Sequence, residues 1–303
     1  MMLFELISIV LVFTLTALVA GNNLSAAVGT LIGSRIVSRL TGVIIGIIGF
    51  SLGLVTEGSL MGSAARSLAP HSYLLLSFAF AGTIGIFLIA LMFRSPVSLT
   101  MSLIGITSGI AFSTGSEINQ AFLVKLALAW IFAPVILIFV SKYINAYTSR
   151  HPMRDVWREA SLIKLLLVAV AFLTGYTLGA NTMGLIADLQ GGGYLTIIVM
   201  MTAIVIGAFF LSGGVIKRVG EEIFSLRYHN ALTSLAVSSA AVEIATFFGI
   251  PLSSTQTISS SIFGVGLSHR YKLMYTRPFL TIVATWIISP LAGFLLGLLG
   301  YFL

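Results

Sequence analysis

Long uncharged runs alternate with short charged segments along almost the whole chain. A membrane helix needs about 20 apolar residues, because each residue rises ~1.5 Å and the hydrocarbon layer is ~30 Å thick. The longest run, residues 228–269, is interrupted only by Glu243, is about twice the length of one span, and breaks at Gly249-Ile250-Pro251. The pattern therefore predicts ten membrane crossings. The runs cover residues 6–33, 40–56, 67–93, 95–116, 118–141 (with Lys125), 165–187, 189–216, 228–269 and 278–303.

The composition indicates an integral membrane protein. Of 303 residues, 58% are hydrophobic and only 8% are charged, whereas a soluble chain has roughly a quarter of its residues charged. A cytosolic enzyme is therefore excluded. The chain has no cysteine, which removes disulfides and cysteine-bound metals. The first twenty residues are predicted to be a retained span, because the acidic Glu5 stands where a signal peptide is basic.

The distribution of basic residues predicts the orientation. The net charge is +7, but the basic residues lie in short connecting segments and form no stripe, so no nucleic-acid partner is expected. The positive-inside rule places the basic segment 142–164 in the cytoplasm. Fourteen of the sixteen basic residues are then cytoplasmic, and only Arg66 and Lys125 lie toward the outside. We predict a multi-pass plasma-membrane protein with both termini external.

Three short motifs occur twice along the chain, in the same order and at separations of 158, 155 and 156 residues. The agreement predicts two homologous halves of about five membrane segments each. Because five is odd, the second half is predicted to be inverted, which is the plan of many secondary transporters. The predicted units are residues 1–143, a cytoplasmic connector over 144–160, and residues 161–303. The paired motifs are Gly21-Asn22-Asn23 with Gly179-Ala180-Asn181, Pro96–Thr100 with Pro251–Thr255, and Trp130-x-x-x-Pro134 with Trp286-x-x-x-Pro290.

Hydroxyl side chains are concentrated in one of these repeated motifs. Seven of the eleven residues 251–261 are Ser or Thr, as are four of the eight residues 95–102. Close helix packing through small residues is one explanation, but a broken or re-entrant helix that lines a polar cavity explains the number of hydroxyls better. Both segments begin with proline, a favoured first helical residue. The N–H groups at a helix start bind anions, so we expect the two starts to meet near the midplane.

These motifs resemble the inorganic phosphate transporter family, whose halves each carry Gly-Ala-Asn-Asp-x-Ala-Asn and Pro-x-Ser-Thr-Thr-His signatures. The resemblance spans essentially the whole chain. It implies an all-α polytopic membrane protein of two inverted repeats, with broken or re-entrant helices at the midplane, that forms a homodimer and moves phosphate or sulfate with sodium ions or protons. The implied substrate-binding residues are Asn23, Ser25, Ser98, Thr100, Asn181, Thr182, Ser253, Ser254, Thr255 and Gln256, and the implied cation-coupling residues are Asn22, Asn23, Asn181 and Glu243.

The chain departs from the family signatures at chemically important positions. Leu24 and Thr182 stand where the signature Asp is expected, and Met101 and Gln256 replace the signature His. Sodium prefers oxygen ligands with negative charge, so the loss of two carboxylates favours proton coupling or a different anion. Glu243, the only acid well inside a predicted span, is the candidate for coupling, and a structural, hydrogen-bonded Glu is the alternative.

Other charged residues have simpler interpretations. We expect Asp188 and Glu117 to be loop acids, although Asp188 could also line an external gate. Lys125 is expected to extend toward the outer surface. Arg94 follows the positive-inside rule or guides an anion. His71, His151, His229 and His269 do not have the spacing of a metal site.

The predicted function is cation-coupled symport of inorganic phosphate by alternating access. The alternatives are a proton-coupled permease for sulfate or another oxyanion and, more distantly, an anion channel on the same scaffold. An enzyme is not expected, because the Gly-x-Ser-x-Gly match at residues 49–53 lies inside a predicted span and lacks a strand-to-helix elbow. No cofactor is expected beyond a sodium ion or a proton as the coupling ion.

Overall fold

The computed structural model describes residues 2–33, 35–92, 97–116, 119–149, 156–212, 228–268 and 276–303. Several residues discussed above therefore lie outside the described residues: Arg94, Pro96, Glu117, His151 and His269. The side chain of Ser25 is also outside the described part, although its backbone belongs to a helix.

All the regular elements of the described residues are helices. In chain order they are α1 (Met2–Gly33), α2 (Arg39–Glu57), α3 (Gly62–Leu68), α4 (Tyr73–Met92), α5 (Leu99–Ser113), α6 (Gln120–Thr148), α7 (Val156–Leu178), α8 (Gly184–Leu189), α9 (Tyr194–Ile206), α10 (Tyr228–Phe247), α11 (Ser254–Ser268) and α12 (Thr276–Gly297). Gly58–Met61 and Leu298–Phe302 are short 3₁₀ segments, and Gly179–Met183 and Gly207–Leu211 are π-helical.

The membrane-spanning character of the chain follows from the lengths of these helices. Seven helical stretches among the described residues are long and apolar enough to cross a membrane. Helices α5 and α11 have 15 residues each, about 22 Å, which is less than the hydrocarbon thickness. The predicted all-α polytopic fold is confirmed, and each predicted crossing contains a helix. The two helices that begin with the hydroxyl segments are too short to span the hydrocarbon.

Helix α10 differs from the other long helices in its polarity. It has 20 residues, and its buried face includes Asn230, Thr233, Ser234, Ser238 and Ser239. It is not one of the seven apolar stretches. Buried hydroxyls inside a membrane helix need partners from neighbouring helices, and Ser238 donates a hydrogen bond to Thr257 of α11 at 2.9 Å. Helix α10 is therefore a protein-facing helix rather than a lipid-facing one.

The helices of the two predicted halves pack reciprocally. Helix α1 packs on α9 while α2 packs on α7, and α5 packs on α12 while α11 packs on α6. Within each predicted half, α1 contacts α4 and α7 contacts α10. Exchanging the halves therefore maps one set of contacts onto the other. This reciprocity supports the predicted repeat, and the inversion of the second half stays a prediction, as do the unit boundaries.

Glycine allows these helices to touch through their backbones. A Cβ atom on Gly53 of α2 would lie 1.9 Å from the Tyr176 carbonyl oxygen of α7. A Cβ atom on Gly264 of α11 would lie 2.2 Å from the Ile138 carbonyl oxygen of α6. Apolar lipid provides little hydrophobic drive for helix association, so close packing at small residues has to supply it. Gly53 and Gly264 thus allow α2 to cross α7 and α11 to cross α6 in direct contact.

Candidate functional site

The second hydroxyl segment forms an extended turn and the first turn of α11. Residues 248–253 connect α10 to α11, and α11 begins at Ser254. The Ser253 Oγ accepts a hydrogen bond from the Gln256 N–H at 3.3 Å and lies 2.9 Å from the Thr255 Oγ1. Ser253, Ser254 and Gln256 are all buried. The N–H groups of a first helical turn have no intrahelical partner, so this buried helix start offers N–H and O–H donors to an anion.

Asn181 holds this turn in place. Its Oδ1 accepts a hydrogen bond from the Leu252 N–H at 3.0 Å. Its Nδ2 donates to the Ile250 carbonyl oxygen at 3.1 Å and to the Thr246 hydroxyl at 3.0 Å. An amide side chain can make four hydrogen bonds, and three are used here. Its contribution to substrate or cation binding stays a prediction, for which one lone pair of Oδ1 remains.

The π-helical segment explains how Asn181 reaches the turn. Gly179–Met183 interrupts the helix between α7 and α8, and all five of its residues are buried. Such π segments insert an extra residue into a turn and occur frequently at functional sites. Thr182, which stands in place of the signature Asp, is 3% exposed and its Oγ1 has no hydrogen-bond partner among the described residues.

We expect Asn181→Ala to destabilise the protein by about 3 kcal/mol, because it leaves the buried Leu252 N–H and Ile250 carbonyl unpaired. The midpoint of thermal unfolding in detergent measures the effect. Thr202→Ala is the matched control, because Thr202 is exposed and its hydroxyl bonds only within its own helix. Equal midpoints for the two variants would show that Asn181 does not hold the turn.

Trp130 and Gln256 connect the same turn to α6. The Trp130 Nε1 donates to the Pro251 carbonyl oxygen at 3.0 Å, and the Gln256 Nε2 donates to the Trp130 carbonyl oxygen at 2.9 Å. Trp130 therefore forms one hydrogen bond with the turn and one with the first turn of α11. Because Trp130 belongs to the first predicted half and Pro251 to the second, the helix start is held by both halves.

The first hydroxyl segment has a corresponding arrangement. Ser98 caps α5, and its Oγ accepts a hydrogen bond from the Met101 N–H at 3.3 Å. The Ser98 N–H donates to the Ser289 Oγ of α12 at 3.3 Å. Thr100 is buried in the first turn. Among the described residues no recorded hydrogen bond joins this cluster to Ser253–Gln256, so the predicted meeting of the two helix starts stays a prediction.

The first Gly-Asn motif lies within an unbroken helix. Helix α1 runs continuously through Gly21-Asn22-Asn23, whereas the corresponding motif of the second half is π-helical. The Asn22 Nδ2 donates to the Asn23 Oδ1 at 3.1 Å, and Asn23 is buried. The two asparagines therefore contact one another inside the protein, and their predicted roles in substrate binding and cation coupling stay predictions.

Two carboxyl groups meet at the end of α2. The side chain of Glu57, the last residue of that helix, lies next to the side chain of Glu243 of α10. The Oε2 atoms of both residues are buried and accept no hydrogen bond from a donor among the described residues. Two carboxylates this close repel each other, and a shared proton would remove the repulsion. Glu57 and Glu243 are the carboxyl pair discussed below.

The carboxyl pair has hydroxyl neighbours. The Tyr176 side chain of α7 lies close to Glu57. Its hydroxyl also lies 2.7 Å from the Thr56 Oγ1. A tyrosine hydroxyl can both donate and accept, so this group can follow a change in the protonation of the pair.

The sequence indicates Glu243 as a candidate coupling residue, but it does not indicate Glu57. Glu57 directly follows the uncharged run 40–56, which places it at the end of a predicted span. In the structure the helical stretch continues through a 3₁₀ segment to Leu68, so Glu57 lies inside it. The uncharged residues 58–65 that follow Glu57 are the signal that could have indicated this.

Asp188 lies in a helix and not in the loop that the sequence predicts, whereas Lys125 is exposed. Asp188 lies within α8 rather than in a loop, is half-buried, and its Oδ2 has no hydrogen-bond partner among the described residues. Lys125 is exposed, as expected, and its Nζ donates to the Phe248 carbonyl oxygen at 3.2 Å just beyond the end of α10. Within the described part of the chain no group of three or more His, Cys, Asp or Glu side chains could hold a metal ion.

The second half of the chain, and the chain as a whole, are similar to known phosphate transporters and permeases. Residues 157–297 match the model of the phosphate transporter family, and this range contains Asn181, Glu243 and Ser253–Gln256. A Methanocaldococcus jannaschii protein, a phosphate permease by name, is 25% identical over 96% of this chain and 95% of its own. The predicted resemblance to the phosphate transporter family is confirmed. The chain is a divergent relative, because the identities are low.

Further relatives of the phosphate transporter family extend this result. A Bacillus subtilis low-affinity inorganic phosphate transporter, so named, is 28% identical over 69% of this chain and 68% of its own. The sulfate permease of the same organism is 20% identical over 90% of this chain and 80% of its own. These relatives are transporters and permeases by name, which confirms the prediction that the chain is not an enzyme.

A solved structure supports the same fold. The structure of a sodium-dependent phosphate transporter superposes with a TM-score of 0.84, covers 99% of this chain and 98% of its own, and is 17% identical in sequence. At this identity the likeness establishes the fold. The short helices α5 and α11 therefore belong to an architecture that the chain shares with this solved structure.

Proposed function

We propose that the chain is a secondary transporter that moves inorganic phosphate across the plasma membrane, coupled to a cation, by alternating access. The observation that carries the proposal is the buried start of α11, where Ser253, Ser254 and Thr255 surround the free N–H groups of a helix that is too short to span the hydrocarbon. Phosphate is the substrate in the names of two relatives that cover most of this chain.

The helix start supplies the chemistry that a dehydrated oxyanion needs. Backbone N–H groups and hydroxyls donate hydrogen bonds that replace those of water, and the positive end of the helix dipole favours the negative charge. Asn181 and Trp130 fix the preceding turn, so the donors are oriented before the anion arrives. Ser98 and Thr100 at the start of α5 are proposed to complete the site from the first half.

We propose that the carboxyl pair couples transport to a cation, and that this cation is a proton. The side chains of Glu57 and Glu243 lie next to each other, and a shared proton would remove the repulsion between two carboxylates this close. Release of that proton leaves two repelling carboxylates, which separates α2 from α10 and gives a two-state element inside the bundle. Thr182 replaces a signature Asp, which removes negative charge that sodium would prefer.

Alternating access is proposed to use the reciprocal packing of the halves. Helix α5 is packed on α12 and helix α11 on α6, so each helix start moves with a long helix of the other half. A rocking motion of these two pairs would open the site to one side of the membrane and close it to the other.

Radiolabelled phosphate uptake into proteoliposomes tests the function, with a proton gradient, a sodium gradient or neither. Proton-driven, saturable uptake is the expected result. Uptake driven by sodium alone would replace the proposed coupling ion, and uptake that follows voltage without saturation would indicate a channel. Preferential uptake of sulfate is the second candidate function, which the sulfate permease among the relatives favours, and unlabelled sulfate as a competitor decides it.

The double variant Ser98→Ala with Ser254→Ala is expected to lower phosphate uptake at least tenfold, because each hydroxyl that donates to a charged ligand contributes about 1.5–3 kcal/mol. Uptake at subsaturating phosphate, normalised to membrane expression, is the measurement. Ser161→Ala with Thr202→Ala serves as the control, since both residues are exposed. Unchanged uptake in the Ser98/Ser254 double variant would remove these hydroxyls from the site.

A further inference from the structure

Gln256 has the sequence position of a capping-box residue but not the contacts of one. The stretch Ser253-Ser254-Thr255-Gln256 fits the pattern in which the serine caps a helix and the glutamine side chain returns to the serine N–H. The serine half of this motif is formed, because the Ser253 Oγ accepts from the Gln256 N–H at 3.3 Å. The glutamine side chain instead donates from Nε2 to the Trp130 carbonyl oxygen at 2.9 Å. A capping role therefore does not explain the contacts of the Gln256 side chain.

The contact with Trp130 fixes the orientation of the amide. A backbone carbonyl only accepts hydrogen bonds, so the end of Gln256 that meets it must be the NH₂ group. The opposite end, Oε1, is then a fixed acceptor. Gln256 is 2% exposed, and Oε1 has no hydrogen-bond partner among the described residues. A buried acceptor without a partner is rare and requires an explanation.

We infer that Gln256 distinguishes protonated oxyanions from unprotonated ones: its Oε1 accepts the O–H of hydrogen phosphate bound at the start of α11. This inference rests on the proposed function, because it assigns a role at the same anion site. Phosphate at neutral pH keeps at least one hydroxyl, whereas sulfate has none. Sulfate would leave Oε1 unpaired and would place oxygen lone pairs against it, which disfavours binding.

The other groups at the helix start lack this selectivity. Backbone N–H groups donate only, and the hydroxyls of Ser253 and Thr255 rotate to donate, so they bind either anion equally well. Glu243 and Asn181 also carry acceptors that could select a protonated anion, but the Glu243 carboxyl group lies against Glu57 and the Asn181 Oδ1 already accepts from the Leu252 N–H. Gln256 is thus the acceptor that the first turn of α11 itself provides.

The donor and the acceptor of the Gln256 amide also account for a departure from the family signature. Gln256 stands where the resembling family carries histidine. A neutral histidine has one ring N–H donor and one ring acceptor, which is the same pair of functions that the glutamine amide uses here. Gln256→His is therefore expected to keep the selectivity, with one ring nitrogen donating to the Trp130 carbonyl and the other accepting from phosphate.

The test uses the full-length protein in proteoliposomes and compares Gln256→Leu with Gln256→His and with wild type. Phosphate uptake is measured with unlabelled phosphate, arsenate, sulfate and selenate as competitors, because the first two carry a proton at neutral pH and the last two do not. We expect wild type and Gln256→His to prefer the protonated pair by roughly tenfold to a hundredfold. Gln256→Leu should lose that preference, mainly through a higher KM for phosphate.

Trp130→Phe is the matched control for positioning. It removes the Nε1 hydrogen bond to Pro251 but leaves the carbonyl oxygen that orients Gln256, so it should weaken both classes of anion equally. If Gln256→Leu also weakens both classes equally, or changes the response to sodium instead, Gln256 is not the selectivity residue. Equal inhibition of wild type by sulfate and phosphate would overturn the inference as well.

Failure of the proposed function gives a different result. Wild-type protein that takes up no oxyanion under any gradient would contradict phosphate transport itself, irrespective of Gln256. The three variants are compared only as monodisperse protein in detergent, and Gln256→His keeps the test decisive if Gln256→Leu does not fold.

Discussion

Glu243→Gln is expected to lower the proton-driven accumulation of phosphate at least tenfold while phosphate exchange across the membrane continues. In the proposed mechanism the carboxyl pair of the wild-type protein holds one proton between Glu243 and Glu57. A glutamine amide can donate to the remaining carboxylate in the same geometry, so the contact persists, but it cannot release a proton. The variant therefore behaves like the permanently protonated pair. Accumulation against a gradient needs a protonation cycle, whereas exchange of internal for external phosphate does not.

Glu57→Gln should have the same effect, because the two groups act as one proton-binding unit. For the same reason, proton-driven phosphate accumulation in the double variant should be no lower than in either single variant, because the effects of substitutions within one network are not additive. Glu5→Gln is the control, since Glu5 is an exposed acid at the start of α1 and should leave accumulation unchanged. The measurement is the ratio of internal to external phosphate at steady state, together with the counterflow rate. Wild-type accumulation by Glu243→Gln would exclude the pair as the coupling site.

Gly53→Ala is expected to destabilise the protein by about 3 kcal/mol or more, the largest effect that we anticipate for one methyl group. The added Cβ would lie 1.9 Å from the Tyr176 carbonyl oxygen and 2.9 Å from the Ala180 nitrogen. These are backbone atoms of the opposing helical segment and cannot rotate aside, so α2 and α7 would have to separate. The separation would also move Glu57, one turn farther along α2, away from Tyr176.

Gly85→Ala is the matched control for this substitution. Gly85 lies in α4, another membrane-crossing helix, and a Cβ there would meet no atom within 4 Å. The alanine should be neutral or stabilise the helix by up to about 1 kcal/mol, since glycine is a poor helix former. The thermal unfolding midpoint and the monodisperse fraction in detergent are the measurements. Similar midpoints for Gly53→Ala and Gly85→Ala would contradict the proposed role of this helix crossing.

The membrane architecture could be predicted from local features of the chain. Each uncharged run contains a helix, and the division of residues 228–269 at Gly249-Ile250-Pro251 matches the end of α10 and the start of α11. These features depend on the hydropathy and backbone preferences of neighbouring residues. The serine caps at Ser98 and Ser253 follow in the same way from short local patterns.

Contacts between distant residues could not be obtained from such patterns. Glu57 is one residue beyond an uncharged run, and only the packing of α2, α7 and α10 brings its side chain to Glu243. Asn181 was predicted as a ligand from its motif, but whether its amide faces the anion or the preceding turn depends on the π-helical segment and the position of Leu252.

The sequence by itself determined that the chain is a helical membrane protein, which segments form its helices, and which segments carry donors for an anion. The tertiary structure decided which polar groups meet: the close approach of Glu57 to Glu243, three hydrogen bonds that use Asn181, and an unpaired oxygen on Gln256. The physical reason is the separation along the chain over which each effect acts. Hydropathy and helix capping act over a few residues, whereas the cost of a buried polar group depends on partners that only the packed helices supply.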